Sequence, residues 1–135
     1  KYKQFFFEIR YSKQKILIKI NKNKFAQVFF NLLDNSFSFA KRGSKILIDI
    51  KSSAGYCIIN FVDQGKGISH EYKDKIFDRF YTDRDKNIKS HSGLGLSISK
   101  NIIESFGGSI KLVKSSDLHF DGACFEIKLP LKDFN

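Results

Sequence analysis

Between Val62, which closes a strand-like run, and Leu94, which opens a helix-like one, the chain passes through glycine-punctuated and polar patches around one short helical segment, about 70–77. Loop-rich stretches of this length are uncommon inside compact domains, and where they occur they carry function more often than not. Any fold has to frame this stretch with regular elements on both sides. Upstream, residues 4–11 (FFFEIRYS) and 15–20 (KILIKI) read as two strands around a polar turn at Lys13-Gln14. Residues 22–41 place Phe25, Val28, Phe29, Leu32, Leu33 and Phe39 at helical spacing. Strands at 45–51 and 56–62 flank Ser52-Ser53-Ala54-Gly55. Downstream, a helix from Leu94 to about Phe106 stops at Gly107-Gly108, and strands near 109–114 and 123–129 make a hairpin around 118–122. This order predicts an α/β two-layer sandwich, a mixed and mostly antiparallel sheet with helices on one face.

A length of 135 residues suits one compact domain, and 41% hydrophobic residues with 15 Phe argue against disorder. No apolar run is long enough to span a bilayer. A chain that begins at Lys1 and contains no Met reads as a fragment, whose parent can still be a membrane protein. Cys57 and Cys124 sit in apolar strand-like runs and are expected to be buried reduced thiols. His70, His91 and His119 are scattered, without metal-ligand spacing. The net charge of +10 is spread along the chain without a dense basic run. That pattern suits a solvated surface favouring an anionic ligand such as a nucleotide, and no nucleic acid partner is expected.

Four groups of residues point to chemistry. Asn31 and Asn35, four apart on an otherwise apolar helix, share one face. Helix interiors disfavour Asn, so the pair is either two surface amides or a set of carbonyl oxygens for a hard cation such as Mg²⁺. Asp63-Gln64-Gly65-Lys66-Gly67 follows a hydrophobic strand. A carboxylate there can accept a hydrogen bond from the exocyclic amine of adenine, where guanine presents an oxygen, although such a run is often only a turn. Ser92-Gly93-Leu94-Gly95 opens the later helix, whose free amides and dipole suit a phosphate or simply a Ser cap. In Lys75-Ile76-Phe77-Asp78-Arg79-Phe80-Tyr81-Thr82-Asp83-Arg84, the aromatics either anchor a mobile flap or pack as an amphipathic helix, and Arg79 or Arg84 is placed to reach a γ-phosphate.

In order, Asn31-Leu32-Leu33-Asp34-Asn35, Asp63-x-Gly-x-Gly, Ile76-Phe77-Asp78-Arg79-Phe80 and Gly93-Leu94-Gly95-Leu96 resemble the N box, first glycine box, F box and second glycine box of sensor histidine kinases. The resemblance runs from about Phe25 to Leu129, and 77–84 with 92–99 look closest to osmosensor-like membrane kinases. It implies the Bergerat ATP-binding fold with a flexible lid at about 66–92, in a single catalytic domain spanning 1–135. By similarity, Asn31 and Asn35 hold Mg²⁺ and phosphate, with Asp34 beside them among the catalytic residues and Arg79 and Arg84 near the γ-phosphate. Asp63 bonds the adenine amine, Gly65, Gly67 and Ile68 shape the pocket, and Phe39 and Tyr81 supply aromatic rings. Gly93, Leu94, Gly95 and Leu96 hinge the lid and meet the phosphates. Ser38 departs from the family, in which many members carry a phosphate-touching Lys.

The resemblance implies an ATP-dependent protein-histidine kinase whose acceptor histidine lies on a separate dimerisation domain, in a His-Glu-x-x-x-Pro-like setting absent from this sequence. Expected partners are that domain and the receiver domain of a response regulator. The parent is expected to be homodimeric and anchored in the bacterial inner membrane, with this domain in the cytoplasm. Related ATPases of the gyrase, chaperone and mismatch-repair type resemble one another in a general-base Glu four positions before the second Asn, where this chain has Asn31. A nucleic-acid-binding module explains the charge but none of the motifs.

Overall fold

Asn21 starts the first helix. Its Oδ1 accepts a hydrogen bond from the Lys24 amide at 3.0 Å and its carbonyl accepts one from Phe25 at 2.9 Å, which satisfies amides that a first turn leaves without partners. The helix, α1 (Lys22–Phe39), buries Val28, Leu32, Asn35 and Ser36. The computed structural model describes residues 6–39, 43–79 and 94–132. Around α1 lie β1 (Phe6–Tyr11), β2 (Lys45–Ser53), β3 (Tyr56–Val62), two 3-10 turns (His70–Tyr72 and Lys75–Phe77), α2 (Gly95–Ser105), β4 (Ser109–Val113) and β5 (Cys124–Pro130).

The sheet order is β1-β2-β3-β5-β4, with β1 parallel to β2 and the other neighbours antiparallel. Alternation along the strands divides the residues between two faces. Cys57, Ile59 and Phe61 of β3 and Phe125, Ile127 and Leu129 of β5 pack with Val28 and Leu32 of α1 and Ile102 and Ile103 of α2. On the opposite face Leu47, Val62 and Cys124 form a smaller cluster closed by Phe120. The mixed, mostly antiparallel sheet with both helices on one face is the predicted two-layer sandwich. Cys57 and Cys124 are free and buried in different clusters, on opposite faces of the sheet. Burial pushes both thiols above their ordinary value, Cys124 up to about 12, where Glu126, Asp63 and Asp49 add to the effect.

Two local expectations are corrected. Among the described residues, 15–20 do not pair with 6–11 as a hairpin; β1 pairs with β2 instead, and 15–20 contribute an isolated bridge from Ile18 to Leu131. Ile16, Ile18 and Ile20 pack on the main core while Lys15 and Lys19 face solvent. The alternation therefore reports one buried face of an extended segment, not a ladder partner. The segment about 70–77 is two 3-10 turns in place of one helix, closed by Tyr72 N–H to Ser69 O and Phe77 N–H to Asp74 O. Only Ile76 and Phe77 are buried there, too short an apolar repeat to sustain α-helical turns.

At the end of α2, the Gly107 amide bonds the Glu104 carbonyl at 3.0 Å and the Gly108 amide bonds that of Ile103 at 3.1 Å, with Gly107 at φ +80°. The next residue is fixed by space. A methyl group on Gly108 would overlap the Lys128 carbonyl and stand 3.0 Å from Leu129 Cδ2. Gly108→Ala is therefore expected to lower stability by ~1–3 kcal/mol, as overpacking does, read as a lower denaturant midpoint. An unchanged midpoint would show that β5 yields at no cost.

Candidate functional site

On α1 the two asparagines stand in different surroundings. Asn31 Nδ2 donates to the Gly95 carbonyl and to Ser99 Oγ, both at 3.1 Å, and so ties α1 to the first turn of α2. With its N–H donors committed, Asn31 has its carbonyl oxygen to offer a cation. A Cβ on Gly95 would sit 3.7 Å from Asn31 Cγ, so the first residue of α2 lies directly against this amide. One turn further, Asn35 is buried, and Asp34 between them is half-buried. Leu94 and Leu96 are half-buried at the start of α2, and the Leu94 carbonyl accepts from the Ile98 amide and Ser97 Oγ. Leu94 offers no capping side chain. The leading amides of α2 are therefore the groups an anion would meet.

The second group gathers at the end of β3. Asp63 is only 3% exposed, and its Oδ1 accepts from the Gly65 amide at 2.9 Å and the Ala123 amide at 3.1 Å. Its backbone is held as well: its N–H bonds the Ala123 carbonyl at 3.1 Å, and its carbonyl accepts from Gly122 at 3.0 Å. Gly67, at φ +77°, lies against the backbone of residues 121–123, and Ile68 packs on the main core. A buried carboxylate oriented by two amides is a fixed hydrogen-bond acceptor.

Gly122 was not singled out by sequence, yet a methyl group there would overlap Asp63 Oδ1 and stand 2.7 Å from both the Asp63 carbonyl oxygen and the Gly65 amide nitrogen. Its only local signal is a turn glycine ahead of the last strand. Nothing in the sequence shows that it faces Asp63.

Ile76 and Phe77 are buried, with the Phe77 ring edge-on to Phe125 at 6.2 Å and Lys100 Nζ 5.8 Å from its centroid. This part of the F-box-like segment is packed against β5 and α2, while Arg79 is exposed at the edge of the described residues. Tyr81, Arg84 and Gly93, and with them most of the expected lid, lie outside the described residues, as does the ring of Phe39.

Among the described residues no group of three His, Cys, Asp or Glu is placed to hold a metal ion. A cation at α1 would have the amide oxygens of Asn31 and Asn35 among its candidate donors. Neutral carbonyl oxygens fit a hard ion such as Mg²⁺ that keeps its remaining positions for water and phosphate.

The profile of the histidine kinase-, DNA gyrase B- and HSP90-like ATPases matches residues 20–133. Among curated relatives, Histidine kinase P4 of Formosa agariphila is 38% identical over 121 residues, covering 86% of this chain and 9% of its own length. The chain spans between 9% and 24% of the lengths of eight curated relatives that are 33–38% identical to it. The mycobacterial sensor histidine kinase MprB superposes with a TM-score of 0.80 at 22% identity, over 97% of this chain and 85% of that one. Full-length ShkA in complex with AMPPNP superposes with a TM-score of 0.77 at 20% identity, over 94% of this chain and 26% of that one. The chain belongs to the histidine kinase-, DNA gyrase B- and HSP90-like ATPase family.

Proposed function

We propose that this domain binds ATP with Mg²⁺ and delivers the γ-phosphoryl to a histidine on a dimerisation domain outside this sequence, for relay to an aspartate of a response regulator. The observation that carries the reading is the buried Asp63 carboxylate, fixed by the Gly65 and Ala123 amides at the end of β3. An acceptor held in this way complements the adenine amine and repels the guanine carbonyl oxygen. Gly65, Gly67 and Ile68 form the floor beside it. At the other end, the leading amides of α2 from Leu94 to Leu96 would receive the phosphates, and Asn31 and Asn35 would hold the cation through their amide oxygens. Mg²⁺, when bound, neutralises phosphate charge. Phosphoryl transfer needs little covalent chemistry from the protein, so positioning and electrostatics carry the step, with Arg79 and Arg84 as the expected guanidinium groups.

Full-length ShkA, which shares the fold, is in complex with AMPPNP, and a nucleotide-binding role for this domain is consistent with that. No helix among the described residues is long and apolar enough to cross a membrane.

Calorimetric titration tests the reading. ATP and ADP should bind well above GTP, with ATP tightened by Mg²⁺, and Asp63→Asn should weaken adenine nucleotides by ~1–3 kcal/mol, the usual effect of spoiling a charged hydrogen bond. Equal affinities for ATP and GTP would remove Asp63 from the site.

A further inference from the structure

The connection between β4 and β5, residues 114–123, is more than a hairpin loop. β4 and β1 form opposite edges of the sheet, and the connection leaves β4, crosses the face away from the helices and reaches β1. There Arg10 Nη1 donates to Asp117 Oδ2 at 2.7 Å, and the Arg10 guanidinium lies 5.8 Å from the Phe120 ring centroid. Arg10 is itself steadied by Glu8, whose Oε2 accepts from its Nε at 2.6 Å. Asp117 Oδ1 accepts from the His119 amide at 2.8 Å, and Phe120, 2% exposed, closes over Leu47, Val62 and Cys124. The Arg10 pairing and the Asp117 hydrogen bonds pull in one direction: the guanidinium proton is held more tightly and the Asp117 carboxyl falls below its ordinary range.

The far end of this strap runs into the adenine-facing residues. Gln64, next to Asp63, donates from Nε2 to the His119 carbonyl at 2.9 Å and accepts the Lys45 amide on Oε1 at 2.8 Å. Gly122 and Ala123, three and four positions past His119, supply the amides that hold the Asp63 carbonyl and Oδ1. A chain of direct contacts therefore joins Arg10 on the edge strand to the orientation of Asp63.

We propose that the strap 114–123, pinned to β1 by Arg10 through Asp117 and Phe120, is the positioning device that aims Asp63 at the adenine amine. Arg10 and Asp117 are then positioning residues that touch no nucleotide, and a displacement of β1 relative to the strap is read at Asp63. The proposal rests on the ATP-binding reading of Asp63. The bland alternative is that the strap only roofs the apolar cluster of Leu47, Val62 and Cys124. In that case Phe120 suffices and the Arg10–Asp117 pair, with side chains 46% and 22% exposed, adds little.

The test compares ATP with purine riboside triphosphate, which lacks the exocyclic amine, by calorimetry on the whole chain. The unsubstituted chain should prefer ATP. Arg10→Ala and Asp117→Ala should each narrow that preference, roughly threefold to fivefold for an exposed pair, while leaving the affinity for purine riboside triphosphate unchanged. The exchange Arg10→Asp with Asp117→Arg, which keeps the ion pair but gives up the Asp117 bond to the His119 amide, should restore it in part. Because the two affinities come from one preparation, their ratio does not depend on the folded fraction. Equal weakening of both nucleotides, or an unchanged ratio, would overturn the strap's role and leave Asp63 in place. No preference for ATP in the unsubstituted chain would overturn the assignment of Asp63, and the strap's role with it.

Discussion

Gly122→Ala is expected to weaken ATP binding by roughly tenfold or more, the scale of losing a charged hydrogen bond, although Gly122 contacts no nucleotide in the proposed complex. The added methyl has no room between Asp63 Oδ1, the Asp63 carbonyl and the Gly65 amide. Something has to move. Backbone is on two of the three sides, so the cheapest displacement turns the Asp63 side chain or draws residues 122–123 away, and either breaks the Ala123 amide bond that orients the carboxylate. Overpacking of this kind also costs ~1–3 kcal/mol of stability, so the circular dichroism spectrum and a denaturant midpoint accompany the titration. A double-mutant cycle separates the two effects. If Gly122 acts through Asp63, adding Gly122→Ala to Asp63→Asn costs little further affinity. Full additivity, or undiminished ATP binding by Gly122→Ala, would mean that Gly122 does not act through Asp63.

Both halves of the candidate site show how far a sequence can be read. β2, β3, β4 and β5 follow from alternating apolar residues between turn signals, and α1 from its helical spacing. The pairing of β1 did not follow, because period-2 alternation states that one face is buried and says nothing about whose backbone lies alongside. Residues 15–20 show the same limit from the other side, since alternating Ile and Lys line a core edge without a ladder. The strap was legible only as a loop. It departs at Lys114 because Ser115 and Asp117 satisfy local amides with their own side chains, Ser115 Oγ accepting from Asp117 and Asp117 Oδ1 from His119. Short polar side chains compete with strand pairing in this way. Within the site, Asn31, Asn35 and Asp63 announced themselves as polar residues in apolar settings. Their pairing did not: Gly95, Ser99, Gly122 and Ala123 meet them only through the tertiary fold.

The second large effect concerns catalysis. Incubated alone with γ-labelled ATP and Mg²⁺, this chain is expected neither to label itself nor to hydrolyse ATP at a useful rate. Labelling needs an acceptor histidine in a suitable setting. His70 lies on an exposed 3-10 turn and His119 on the strap, where its backbone is tied to Gln64 and Asp117; His91 lies outside the described residues. Hydrolysis needs a base to orient and deprotonate water. Related ATPases resemble one another in carrying Glu where this chain has Asn31, whose amide accepts no proton at neutral pH and is engaged with Gly95 and Ser99 as a clamp between the helices. Asp34 is the adjacent carboxylate on α1, but three helical residues turn it from Asn31 by ~60° on a 3.6-residue period. Adding the dimerisation domain of the parent protein in trans should produce phosphohistidine on that domain. Asn35→Ala should reduce that transfer by ~100-fold or more, the penalty of losing a positioned phosphate, with the folded state checked by circular dichroism. Brisk hydrolysis by the unsubstituted chain alone, abolished by Asp34→Asn, would instead place it with the water-activating ATPases of its family.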